Sequence, residues 1–366
     1  MSDRARPITR RDVIEHLRAH DCAPSGGPVK VGLEQEWHTY DLSQPGRHVR
    51  PDEVLGAVDA GMAVLAAGID PFREPARTLT KPRYDAMQAY FDEWGPEGRR
   101  MMSSCASIQV NIDSGDADTL ARRWDVAHRI GPAVAAAFAC SPAPLHRSER
   151  LAVWNTMDPT RTKPVLASGR LAEDWSDYVL AARLMLIHED DDTCSPVAVP
   201  MSFGEWVDEG IAGRRPSLAD LEYHCTTLFP PVRPRGWLEV RWLDCLPAGL
   251  AEVASAAITA LLIDERASET AVAACAAVDR VASWTTTASL GTRDPDLAAA
   301  GAATLAAAAE ALDRTDAPSA WAAAVADAGC RWPAKGRSPA DDLEDRLAAG
   351  ATMLHLADPP EEVAWP

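Results

Sequence analysis

Three observations predict an α+β fold, with a concave sheet in residues 1–249 and a helical C-terminal part in residues 250–366. The first is a set of three stretches whose apolar residues recur with period two, the signature of half-buried strands. The second is a change of character after Pro247. From Leu250, apolar residues recur at Val253, Ala254, Ala257, Ile258, Leu261 and Leu262, a helical stripe, and most of 250–330 is alanine-rich with little strand pattern. The third is size: 366 residues, 47% of them hydrophobic, can bury a core large enough for a sheet and its helical cover. The whole chain, 1–366, is read as one domain.

The strands come first because they carry the polar residues. In 233–247, Leu238, Val240 and Trp242 face one way, and Glu239 and Arg241 face the other. In 107–113, Ile108, Val110 and Ile112 alternate with Ser107, Gln109, Asn111 and Asp113. In 29–38, Val29, Val31, Leu33 and Trp37 alternate with Gly32, Glu34, Glu36 and His38. Faces so dense in Glu, Gln, Asn and Arg are expected to converge on one cavity. The alternative is three unrelated strands with solvated outer faces.

The remaining elements follow in chain order. Residues 9–20 predict a helix, with Thr9 as N-cap, Asp12 three residues on, and Ile8 and Val13 at staple positions. Ser25-Gly26-Gly27-Pro28 breaks the chain, and 41–51 is turn-like. Helices are expected near 52–67 and over 84–94, where Tyr84, Met87, Tyr90, Phe91 and Trp94 form a core stripe. More helices are expected near 117–140 and over 173–187. Asp158-Pro159 marks a turn, 188–194 an acidic loop, and 223–228 a further strand. Ser338-Pro339 caps a last helix near 339–349, and the tail 357–366 reads as poorly ordered.

Composition excludes several function classes. The net charge of −18 opposes nucleic acid and anionic membrane surfaces. No apolar run approaches the roughly 20 residues of a membrane span. Arg10-Arg11 is followed by acidic residues, unlike an export signal. Eight scattered cysteines with no C-x-x-C pair read as reduced thiols of a cytoplasmic protein. Neither G-x-x-x-x-G-K-[ST] nor G-x-G-x-x-G occurs, which argues against a P-loop or Rossmann nucleotide site. The partners expected are small molecules; oligomeric state is left open.

The polar faces suggest a chemistry. Magnesium takes oxygen ligands and keeps waters or phosphate oxygens, so Glu34, Glu36 and Glu239 make a reasonable half-cage. Arg233, Arg235 and Arg241 can hold a carboxylate or phosphate through forked hydrogen bonds. Metal plus arginine is what phosphoryl transfer needs, because that chemistry is mostly positioning and charge neutralisation. A Glu239→Ala change is expected to stop it at little cost in packing.

Four stretches resemble one family. They are Gly32-Leu-Glu-Gln-Glu-Trp37, the run from Met101 to Asp113, Trp154 with Asp158-Pro159-Thr-Arg161-Thr162, and the run from Tyr223 to Arg241. Together they resemble glutamate–cysteine ligases of the plant-like type 2 family, most of all the actinobacterial kind that serves ergothioneine biosynthesis (EgtA type). The resemblance runs from about residue 30 to 349. It implies a glutamine-synthetase-like funnel, floored by a curved antiparallel sheet with helices outside, and ATP-dependent joining of glutamate to cysteine through γ-glutamyl phosphate. By motif position, Glu34, Glu36 and Glu239 would be magnesium ligands, and Arg241 and Arg161 catalytic. Gln109, Asn111, Arg233, Arg235 and Arg241 would bind glutamate or ATP.

One departure stands out. The family's segment with a motif like E-P-G-G-Q-x-E-L-S, which carries further strands and metal-binding carboxylates, has no match between Arg50 and Asp70. Asp41, Asp52 or Glu53 could stand in. The loss motivates a second reading: an impaired or non-catalytic relative that binds glutamate or nucleotide. His38 and His224 are read as satisfied structural histidines, Cys105 and Cys225 as small buried residues, and Asp158–Arg161 either as a turn pair or as part of the site.

Overall fold

The structure is a computed structural model and describes residues 6–49, 62–189, 193–197, 199–352 and 355–356. Its strands are β1 (Val31–Gln35), β2 (His38–Asp41), β3 (Met62–Leu65), β4 (Ser107–Asp113), β5 (Leu186–His188), β6 (Cys194–Pro196), β7 (Val232–Pro234) and β8 (Trp237–Asp244). Four of them form one antiparallel sheet in the order β1-β4-β8-β7. The three stretches read as strands are therefore neighbours, and the short β7 is added beside β8 by the turn at Gly236, whose φ of 78° suits a residue without a Cβ.

Register sorts the residues into rows. Leu33 pairs with Val110, Val110 with Val240 and Val240 with Val232, an apolar row across all four strands. The next row is polar: Gly32 pairs with Asn111, Asn111 with Glu239 and Glu239 with Arg233. The period of two thus becomes two faces of one sheet.

Helices cover the apolar face. The helix Ala117–Ala137, N-capped by Asp116, and the helix Leu250–Ile263 lie against β4 and β8, and Ile108, Val110, Ile112, Leu238, Val240 and Trp242 are buried. Each fully buried aliphatic side chain stabilises the fold by roughly 1.5–3 kcal/mol. Gly131 lets the first helix approach, because a Cβ there would come within 3.1 Å of the Trp242 ring and 3.0 Å of Trp284. Every described element after Leu250 is helical, and residues on both sides of Pro247 share one core. Among the described residues no helix is long and apolar enough to cross a membrane.

Other expectations need correction. Met62–Leu65, placed in a helix over 52–67, is a strand paired with β2, with His38 opposite Leu65; residues 52–61 lie outside the described residues. The helix expected over 173–187 spans Leu171–Ala181, and Leu186–His188 then pairs with Cys194–Pro196. Tyr223–Cys225 ends a helix that begins at Leu218, and the region near 117–140 is a single helix with Pro132 inside it. The tail 357–366 is outside the described residues. The apolar side of β1 is not backed by core: Val31 is 46% exposed and Leu33 42%. β1 is an edge strand.

The first and last helices match expectation. Arg10–Ala19 carries the Thr9/Asp12 capping box, and Pro339–Ala348 carries one from Ser338 and Asp341.

Candidate active site

Glu239 is the centre of the polar face. It is 3% exposed, and its Oε2 accepts hydrogen bonds from Arg233 Nε at 2.7 Å and Arg241 Nη1 at 2.8 Å. Arg241 Nη1 also donates to Gln109 Oε1 at 2.5 Å, and Arg233 Nη1 to the carbonyl of Leu228 at 2.9 Å. Three strands thus bring Gln109, Glu239, Arg241 and Arg233 together. Burial opposes ionisation of Glu239, but the two arginines outweigh it and hold the carboxyl below its usual range. Burial, with the charge of Arg233, draws Arg241 down to about 10. The Arg241 Nε is buried with no hydrogen-bond partner. A cation with an unused donor is suited to receive an anionic oxygen.

A β-bulge aims Arg241. Ile108 pairs with Leu243 but Val110 with Val240, so Arg241 and Trp242 stand opposite the single Gln109. Arg150 clamps this bulge. Its Nη2 donates to the carbonyls of Arg241 and Leu243, both at 2.7 Å, and its Nε lies 3.3 Å from Asp244 Oδ1. Asp244 also accepts from the Cys140 amide at 2.8 Å and from the Ser141 and Ser148 hydroxyls at 2.7 and 2.9 Å. Sequence reasoning gave Arg150 and Asp244 no role. Arg150 stands four residues before Trp154, and its guanidinium sits over that ring at 5.1 Å.

The other two glutamates occupy the same face at its rim. Glu34 is exposed and accepts from Asn111 Nδ2 at 3.2 Å; Asn111 in turn accepts from Trp237 Nε1 at 3.0 Å. Glu36 is exposed and accepts from the amide and hydroxyl of Ser107 at 2.8 and 2.7 Å. Two strand spacings, roughly 10 Å, separate the backbone of β1 from that of β8. Among the described residues no three His, Cys, Asp or Glu side chains come together as a metal site. Glu239 is already neutralised by two arginines. The residues present do not fit a three-glutamate magnesium cage.

Arg161 and Arg235 lie outside the Glu239 cluster. Arg161 is fully buried, and all five of its N–H donors are engaged: by Asp158 at 2.6 Å, the Thr227 carbonyl and hydroxyl at 2.9 and 3.1 Å, Tyr90 at 3.2 Å and the Arg183 carbonyl at 2.5 Å. No donor remains for a phosphate. Arg235 is exposed, lies over Trp237 at 5.6 Å, and lines a cleft of about 250 Å³ with Arg233, Asp21 and Trp175. His38 and His224 are buried against the carbonyls of Ala67 and Val179, both at 3.1 Å. Burial pushes the Cys105 thiol up to about 12 and Cys225 well above its usual value.

Comparison with known proteins gives the family. The family model described as Glutamate-cysteine ligase family 2 matches residues 46–357. Glutamate–cysteine ligase EgtA of Mycolicibacterium smegmatis is 35% identical over 398 residues, covering 92% of this chain and 92% of its own. EgtA of Mycobacterium tuberculosis is 38% identical over 406 residues, 94% of this chain and 92% of its own. The chloroplastic glutamate–cysteine ligase of Arabidopsis thaliana is 28% identical over 201 residues, 51% of this chain and 38% of its own. The two EgtA alignments are longer than the 366 residues of this chain, so part of each relative has no counterpart here. That fits the absent E-P-G-G-Q-like segment. With 312 consecutive positions matched and more than a third identity along nearly the full length, the chain belongs to the glutamate–cysteine ligase family 2.

Proposed function

We propose that the protein is an ATP-dependent glutamate–cysteine ligase that supplies γ-glutamylcysteine for ergothioneine biosynthesis. The observation that carries this reading is the partly buried Arg241, aimed by a bulge, paired with Glu239 and Gln109, and left with a buried, unused Nε donor. The EgtA relatives support the substrates.

In this reading the γ-carboxylate of glutamate attacks the γ-phosphorus of ATP, and ADP leaves. The amine of cysteine then attacks the acyl carbon, phosphate departs with the bonding pair, and the amine loses its proton. Both steps gather negative charge on oxygen, which Arg241 and Arg233 are placed to neutralise. Glu239 holds the two guanidiniums side by side. Gln109 and Asn111 orient substrate, and Arg235 serves ATP from the rim. Arg161, with every donor engaged, acts as a positioning residue that ties Asp158, Thr227 and Arg183 together.

Magnesium is proposed as the counter-ion that ATP brings, met by the exposed Glu34 and Glu36, not as an ion caged by three glutamates. The sheet and the helices after Leu250 are proposed to form one catalytic domain with a glutamine-synthetase-like funnel, working in the cytoplasm on small molecules.

Incubation with glutamate, cysteine, ATP and magnesium tests the proposal. Equal amounts of ADP, phosphate and γ-glutamylcysteine are expected. Glutamate binding by calorimetry without ATP hydrolysis would favour a non-catalytic relative instead, and a product of different mass would assign another amine acceptor.

A further inference from the structure

β1 ends the four-stranded sheet, and its free side is unusually well defined. Asp113 donates to the carbonyl of Lys30, and Glu36 donates to the carbonyl of Ser107, so the even-numbered residues from 30 to 36 carry the ladder to β4. The N–H and C=O of Val31, Leu33 and Gln35 therefore point away from β4, along the edge. No backbone partner meets them among the described residues. Edges of this kind are ordinarily covered, shortened or bulged. This one pairs without a register shift and carries exposed Val29, Val31 and Leu33 on one face.

We propose that this edge pairs with the same edge of a second copy, forming a two-fold antiparallel dimer with one continuous eight-stranded sheet. A register centred on Leu33 uses the whole ladder from Lys30 to Glu36. Leu33 then faces Leu33 of the other copy, and Val31 faces Gln35, and each of these pairs exchanges two backbone hydrogen bonds. The even-numbered residues fall in the close, non-hydrogen-bonded positions. There Lys30 of one copy meets Glu36 of the other, twice, and Gly32 leaves room for Glu34. Charge selects this alignment over the next one along, which would set Glu34 against Glu34. Glu36 keeps one carboxylate oxygen free for the contact, since Ser107 uses only Oε2. The interface is isologous, so it closes at two copies instead of growing into a fibre. The apolar side chains that the helices fail to reach gain cover from their counterparts, and the two polar faces join edge to edge.

Light scattering after size exclusion tests this on the full chain. The expected mass is twice the 39.3 kDa of one copy. Val31→Pro removes an outward N–H that the β4 ladder does not use, and is expected to give a monomer with an unchanged circular dichroism spectrum. Lys30→Glu alone is expected to shift the dimer to monomer, and Lys30→Glu with Glu36→Lys to restore it, a pair that decides the matter if the proline variant misfolds. A wild-type monomer at every concentration, a dimer that survives Val31→Pro in a folded protein, or a charge swap that fails to restore the dimer would each overturn the proposal.

Discussion

Glu239 lies between the buried guanidinium of Arg233 and the partly buried one of Arg241, and this changes what a substitution there reports. An alanine would leave Arg233 and Arg241 without their counter-charge, which costs about 3–5 kcal/mol, so loss of activity would be confounded with loss of fold. The expectation that Glu239→Ala costs little packing assumed an open polar face. Glu239→Gln keeps an acceptor for both arginines. It is expected to lower ADP release by roughly 100-fold or more while leaving the circular dichroism unchanged. Wild-type turnover in that variant would remove Glu239 from the mechanism. Two histidines set the acid limit of the fold. Burial pushes His128 down to about 4 and His224 to about 3, against about 6.5 in the unfolded chain. Both folded values are depressed, so the stability these neutral rings permit is complete above pH 6.5 and is lost as pH falls below it. By pH 4 the loss from His128 alone is roughly 3 kcal/mol. Urea titrations at pH 7 and pH 4.5 should show the drop, and His128→Asn should remove about half of it, leaving the part due to His224.

At the scale of elements, β8 and its bulge decide where Arg241 points. Arg150→Met should cost about 3–5 kcal/mol by leaving Asp244 buried without its cation. Arg150→Lys keeps the charge but cannot reach two carbonyls and a carboxylate at once. It should lower kcat about 10-fold or more with KM for ATP little changed, whereas a purely structural role would leave kcat intact. Gly68→Ala probes the same hub from the other side, because a Cβ there would meet Asp244 Cγ at 2.5 Å; a fall in melting temperature of several degrees is expected. The strands themselves were legible because period two needs no partner to be seen. The bulge was not, because it exists only as a mismatch between β4 and β8. Met62–Leu65 failed for a related reason: four consecutive apolar residues carry no alternation, and helix and strand then read alike. The Arg150–Asp244 pair joins residues 94 positions apart, and no spacing in the sequence announces it.

At the scale of the whole molecule, the distance between Glu34 and Glu239 in the chain is closed by sheet order alone, β1 to β4 to β8. That much of the site followed from like-patterned strands: β4 and β8 share a core on one side, and β1 joins them through its backbone ladder to β4, with Val31 and Leu33 left exposed. The relative exposure of the glutamates did not follow. Glu239 is covered because β7 adds Arg233 beside it, and Glu34 and Glu36 are open because nothing described here pairs beyond β1. Arg161 illustrates the same limit: a buried arginine held by one carboxylate and four other acceptor atoms reads in sequence like an arginine waiting for phosphate. Net charge of −18 adds a prediction at this scale. Anionic ATP approaches against the overall field, so raising salt from about 50 to about 300 mM should lower KM for ATP through screening; a rise in KM would show that the arginine face dominates the approach instead.

The most direct test of ligase activity is the product ratio in a single incubation of folded protein with glutamate, cysteine, ATP and magnesium. ADP, phosphate and γ-glutamylcysteine are expected in equal amounts, with ADP release lowered by roughly 100-fold or more in Glu239→Gln. Absence of all three products from protein that is folded and saturated with its substrates would contradict it.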